Sequence, residues 1–123
     1  MQWFAVALGG ALGAMARYGV SLWMFNASSE KFPYATLTVN VLGSFIMGIL
    51  FVYMVEKAAL PAEMRGLLMI GFLGAFTTFS TFSLDALSLW QNGHLFLALV
   101  YVLATVILCL VAISSSIWLA RLF

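Results

Sequence analysis

The chain has 123 residues, 65% of them hydrophobic and only 7% charged, with a formal net charge of +1 and a mean hydropathy of +1.14. So few charges cannot clothe a water-soluble domain of this length, so most of the surface is expected to face lipid. A net charge this close to zero offers no grip on nucleic acid. With a single cysteine, Cys109, and a single histidine, His94, the chain has neither an intrachain disulfide nor a zinc-type cluster to build on.

A membrane span needs roughly 20 apolar residues, and four segments satisfy this: about 3–24, 34–55, 66–89 and 95–119. Their separators are short: NASSEKFP, EKAALPAEMR and QNGH, and both prolines, Pro33 and Pro61, fall within them. The opening MQWFAVALGG lacks a basic start and runs on too far for a cleaved signal, so it reads as a retained first span. The expectation is an all-α membrane protein, a single domain over residues 1–123, with four transmembrane helices and nothing outside the bilayer. One side bears Lys57, Arg65 and Arg121; the other bears Lys31, with Arg17 if it reaches the interface. So slight a bias permits insertion in either orientation.

Polar and small residues inside a span cost energy, so each needs a partner or a task. In the first span, Gly9, Gly13 and Arg17 share one face, and the two glycines make a GxxxG that lets another backbone approach. Two readings fit Arg17: its head snorkels to the interface, or it is a permanent positive charge at the mouth of an anion path. In the second span Asn40, Ser44 and Gly48 share a face. Asn40 either glues the bundle through an interhelical bond or donates to a passing anion.

The third span contains TTFSTFSLD, residues 77–85, in which hydroxyls and phenylalanines repeat every three residues. Thr78 neighbours Thr81, Phe79 neighbours Phe82, and Ser80 neighbours Ser83, with Asp85 continuing the ring stripe. Stiff threonines and hydroxyls that compete for backbone carbonyls, just after Gly71 and Gly74, argue for a broken helix. A break frees carbonyls that protein or an ion must satisfy; the alternative is a continuous helix with back-bonded hydroxyls. Phe79 and Phe82 are either packing or ring edges turned to an anion, since a phenyl edge is positive. In the fourth span Tyr101, Thr105 and Cys109 share a face, as a polar track or as interior packing. No serine has a histidine nearby in the sequence, and Asp85 is the one acid well inside a span, so neither nucleophilic nor paired-carboxylate catalysis is supported and the chain reads as no enzyme.

GGALGAMARY, TLTVNVLGSFIMG and GFLGAFTTFSTFSLD together resemble the Fluc (CrcB) fluoride channels of microbes, across the whole chain. The resemblance implies an antiparallel, dual-topology homodimer in the cell inner membrane, with two fluoride pores lined by both subunits. It implies passive, fluoride-selective export that relieves fluoride toxicity. It also implies a central structural sodium ion held by backbone carbonyls of a third helix broken mid-membrane. By motif, Phe79 and Phe82 become pore phenylalanines, Asn40 the second-span donor, and Ser80 and Thr81 hydroxyls around the break. Gly74 and Thr77 become the carbonyl donors to sodium, and Arg17 the vestibule arginine. Tyr101, Thr105, Ser83 and Asp85 are possible pore residues; Asp85 stands where the family has the longer glutamate. The competing reading is a small dual-topology, proton-coupled exporter, for which Asp85 is the available titratable group.

Overall fold

A computed structural model describes residues 1–27 and 31–123 of the chain. The expected NASSEKFP connection therefore lies partly outside the described residues. All regular structure among them is helical, as lipid demands of a chain that must satisfy its backbone internally. Helix α1 is Gln2–Ala27 and α2 is Tyr34–Phe51, which opens with Pro33 before its first turn. Wider π-helical turns at Val52–Glu56 extend α2, the Lys57 N–H reaching back five residues to the Val52 carbonyl at 2.9 Å. Ala58, at φ 48°, then turns the chain.

The third span begins with α3, Ala62–Arg65, passes through π-helical turns at Gly66–Leu73 and continues as α4, Gly74–Phe76. Helical geometry stops at Thr77, which is extended at φ −85°, ψ 162°. It resumes as α5, Ser80–Gln91. The interruption thus falls in the hydroxyl stretch that follows the glycines; Gly74 is itself helical, at φ −61° and ψ −33°. The QNGH turn closes α5 with left-handed Gly93, φ 84°. The Gly93 N–H donates to the Trp90 carbonyl at 3.0 Å and the His94 N–H to that of Leu89 at 2.8 Å, a Schellman arrangement that satisfies carbonyls at the helix end. Helix α6, Leu95–Leu122, then runs 28 residues.

Four helical runs, Gln2–Phe25, Tyr34–Glu56, Ala62–Gln91 and Leu95–Leu122, are long and apolar enough to cross a membrane. The first packs chiefly on the third and the second on the fourth. The sequence chose glycine where backbones meet. A side chain on Gly9 or Gly13 would strike the Leu67 or Phe72 carbonyl, and one on Gly71 would come within 2.6 Å of the Val6 carbonyl. Gly48 likewise leaves room for the Ser116 hydroxyl. Two apolar clusters form the interior. Val39, Leu73 and Phe76 meet on one side of the interruption; Phe82, Leu89, Ala98 and Tyr101 meet on the other. At the far end from QNGH, Arg121 forms a two-pronged ion pair with Glu56, its Nε donating to Oε2 at 3.1 Å. Lys57 beside it donates to the Ala120 carbonyl at 3.4 Å. The second and fourth spans are tied together there.

Candidate functional site at the interrupted third helix

The interruption is built by side chains that redirect backbone donors. Asn40 clasps Thr78 from both sides: its Nδ2 donates to the Thr78 carbonyl at 3.0 Å and its Oδ1 accepts from the Thr78 N–H at 2.8 Å. The Thr81 N–H turns to Thr78 Oγ1 at 3.1 Å. In a regular helix these two N–H groups would return four residues back, to the carbonyls of Gly74 and Thr77. Both carbonyls therefore lose their helical donors. Thr77 Oγ1 donates to the Leu73 carbonyl at 2.8 Å, which braces the last turn before the interruption. Arg17, half-buried, directs Nη1 to the Thr77 carbonyl at 3.5 Å, so its head turns inward rather than to the end of α1.

Beside the interruption lies an open cavity of about 400 Å³ lined by Asn40, Ser44, Met47, Phe79, Phe82, Thr105 and Cys109, among others. The two phenylalanines touch edge to face, with centroids 5.4 Å apart and planes at 62°. They differ in burial: Phe79 is 78% exposed, Phe82 only 7%. Phe82 meets the buried Tyr101 ring edge-on at 5.2 Å. The buried Thr105 hydroxyl has no hydrogen-bond partner in the protein. An unpaired hydroxyl in such a place is costly unless a guest or water completes it.

A further polar network adjoins the Phe82 ring through Tyr101. Asp85 Oδ2 accepts from Thr36 Oγ1 at 2.8 Å and from the Tyr101 hydroxyl at 3.2 Å, which ties the second, third and fourth spans into one network. A smaller cavity of about 270 Å³ is lined by Arg17, Tyr18, Ser21, Thr36, Thr78 and Thr81. Arg17 and Thr81 thus sit apart from the ring cavity, on the other face of the clasp. The hydroxyls of Ser80 and Thr78 lie 3.3 Å apart at the start of α5. Ser83 is exposed and spends its hydroxyl on the Phe79 carbonyl at 2.9 Å, so it supports the helix.

Sequence reasoning missed Thr36. It lies one turn before Asn40 on the face already marked by Asn40 and Ser44, and that spacing was the available signal. It also read Asn40 as either glue or donor. The amide bridges helices and, with one of its two N–H groups used on Thr78, keeps a second for another acceptor.

Four spans long and apolar enough to cross a membrane, the second, third and fourth of them lining a cavity with amide and hydroxyl donors, and no nucleophile–base pair or cluster of metal-ligating side chains among the described residues, define a multi-pass membrane protein. Residues 4–117 match the family described as CrcB-like protein, Camphor Resistance (CrcB). The chain belongs to that family, which is one of ion channels and not of enzymes. It is similar to the fluoride-specific ion channel FluC of Saccharophagus degradans, 60% identical over 94% of this chain and 86% of the relative. The relative of the same name from Hahella chejuensis is 57% identical over 95% and 92%. That from Magnetococcus marinus is 48% identical over 99% of both.

Proposed function

We propose that this chain is a passive, fluoride-selective channel of the cell inner membrane that lets fluoride leave the cytoplasm and so limits its toxicity. The observation that supports this most is the lining of the ring cavity: neutral donors beside two phenyl rings, with no Lys or Arg among the lining residues. Fluoride is small and strongly hydrated, so a conducting site must replace water with donors while avoiding deep binding. The second Asn40 N–H, the unpartnered Thr105 hydroxyl and the edges of Phe79 and Phe82 meet that need. Arg17, on the far side of the clasp, supplies a positive field that draws anions without trapping them beside the rings.

The working unit on this reading is an antiparallel, dual-topology homodimer with two pores, its interruption lying mid-membrane. Gly74 is exposed, and a side chain there would meet nothing of its own protomer closer than the Met69 carbonyl at 3.8 Å. Phe79 is also exposed next to it. Those features suit a face that a second copy covers. Sodium fits there on chemical grounds: carbonyl oxygens are the ligands a hard cation prefers, and those of Gly74 and Thr77 are the two stripped of helical donors. Gly74 and Thr77 of each copy would hold it, and the ion would lock the two interruptions together.

The deciding experiment is fluoride release from liposomes containing the purified protein, with potassium and valinomycin carrying the balancing charge and chloride as competitor. Rapid fluoride release with chloride retained is expected. Silence from folded dimer would reject the channel. The proton-coupled exporter makes a different demand: Asp85→Asn would abolish its transport, whereas the channel keeps substantial flux.

A further inference from the structure

A second polar cleft, of about 370 Å³, opens at the QNGH end and is lined by Lys31, Pro33, Asp85, Ser88, Asn92 and His94. We infer that this cleft is the second mouth of the anion path, where small hydrated anions collect on Lys31 and His94 before or after they pass the rings. The inference rests on the channel reading and adds to it the route by which the ring cavity reaches water at this end.

A chain of touching side chains links the cleft to the ring cavity. Asp85 forms part of the cleft wall and bonds Tyr101. Tyr101 touches Phe82, and Phe82 lines the ring cavity. The cleft begins beside His94, whereas Thr105 of the ring cavity lies about 16 Å further along α6 at the usual helical rise. The cleft and the cavity therefore stand at successive levels, separated by the Asp85–Thr36–Tyr101 network and the Phe82 ring. An acid at a mouth repels anions. Its Oδ2 is engaged by two donors, and exposed Lys31 and half-buried His94 face the same cleft with basic side chains. The Lys31 ammonium offsets Asp85 where the anion must approach it, and the His94 ring offers an N–H donor beside it.

Charge reversal at Lys31 tests this in the liposome release assay. At about 10 mM salt, where the screening length is about 30 Å, Lys31→Glu is expected to slow fluoride release about fivefold, from the Coulomb energy of two charge units about 8 Å from the path through water. At about 1 M salt, with screening within about 3 Å, the variant should approach the wild type. Lys31→Cys provides a check independent of folding. On that one folded protein a trimethylammonium methanethiosulfonate should restore release and a sulfonate reagent should depress it further, each compared with wild type treated alike because Cys109 is also a thiol. His94→Gln should add a smaller loss. Release from Lys31→Glu equal to wild type at low salt, or reagents of opposite charge acting alike, overturns the mouth while leaving the channel intact. A wild type that releases no fluoride overturns both.

Discussion

Asn40 concentrates more consequence in one side chain than any other residue near the interruption. Its amide replaces, on the Thr78 peptide, the two hydrogen bonds that a continuous helix would have made. Asn40→Asp keeps the acceptor for the Thr78 N–H but loses the donor to its carbonyl and sets a carboxylate at the ring cavity. Fluoride release should fall sharply in the liposome assay. Release at the wild-type rate, with the aspartate shown to be ionised, would remove Asn40 from the path. Asn40→Ala loses both bonds and should cost roughly 1–3 kcal/mol, the penalty for buried groups left unpaired, read as a lower unfolding temperature in detergent. Phe82 is the second such residue. Phe82→Ile replaces a ring by an aliphatic surface of similar bulk, so the protein should stay folded. A ring contact is worth about 1 kcal/mol, and its loss at the barrier should slow fluoride release roughly five- to tenfold. Unaltered release would mean that the ring only packs against Leu89, Ala98 and Tyr101.

At the scale of elements, the interruption separates glycines of two kinds. Gly9, Gly13 and Gly71 are contact glycines that let α1 lie backbone to backbone on the third span. Gly74 has open space around it and no such duty within its protomer. Gly13→Val should therefore prevent folding, visible as aggregation on extraction. Gly74→Val should leave the protomer folded but weaken association, visible as monomer by size-exclusion chromatography. Equal behaviour of the two variants would contradict the assignment. The same distinction explains what the sequence made legible. Apolar runs mark spans well, because helix is the one open structure lipid tolerates, and the observed helices overrun the expected ends by only a few residues. That the third span breaks was readable from its hydroxyls. The stretch in which it breaks was readable too, but not the partner that fixes it: Thr77 leaves the helix because Asn40, distant in the chain, captures Thr78. Thr36 went unseen for a related reason, since its task exists only once Asp85 and Tyr101 are brought to it.

For the whole molecule, the proposed sodium site makes a link between assembly and cation chemistry that can be tested at the Gly74 and Thr77 carbonyls. If sodium bridges the interruptions of two copies, replacing it by a large organic cation such as N-methylglucamine should hasten dissociation of the dimer, measured by subunit exchange between differently labelled proteins. The sodium effect should vanish in Gly74→Val. Exchange at one rate in both cations would leave the carbonyls without that role. A different consequence follows from the length of α6. Its 28 residues extend about 42 Å at the usual helical rise, against a hydrocarbon core of about 30 Å. The helix must lean or carry its ends into the headgroups, and it leans further as the membrane thins. Tyr101, packed on the Phe82 ring, and Thr105, in the cavity wall, ride on that helix, so its lean sets how both stand against Phe82. On the channel reading, acyl-chain length thereby becomes a control on conductance alongside any residue in the chain.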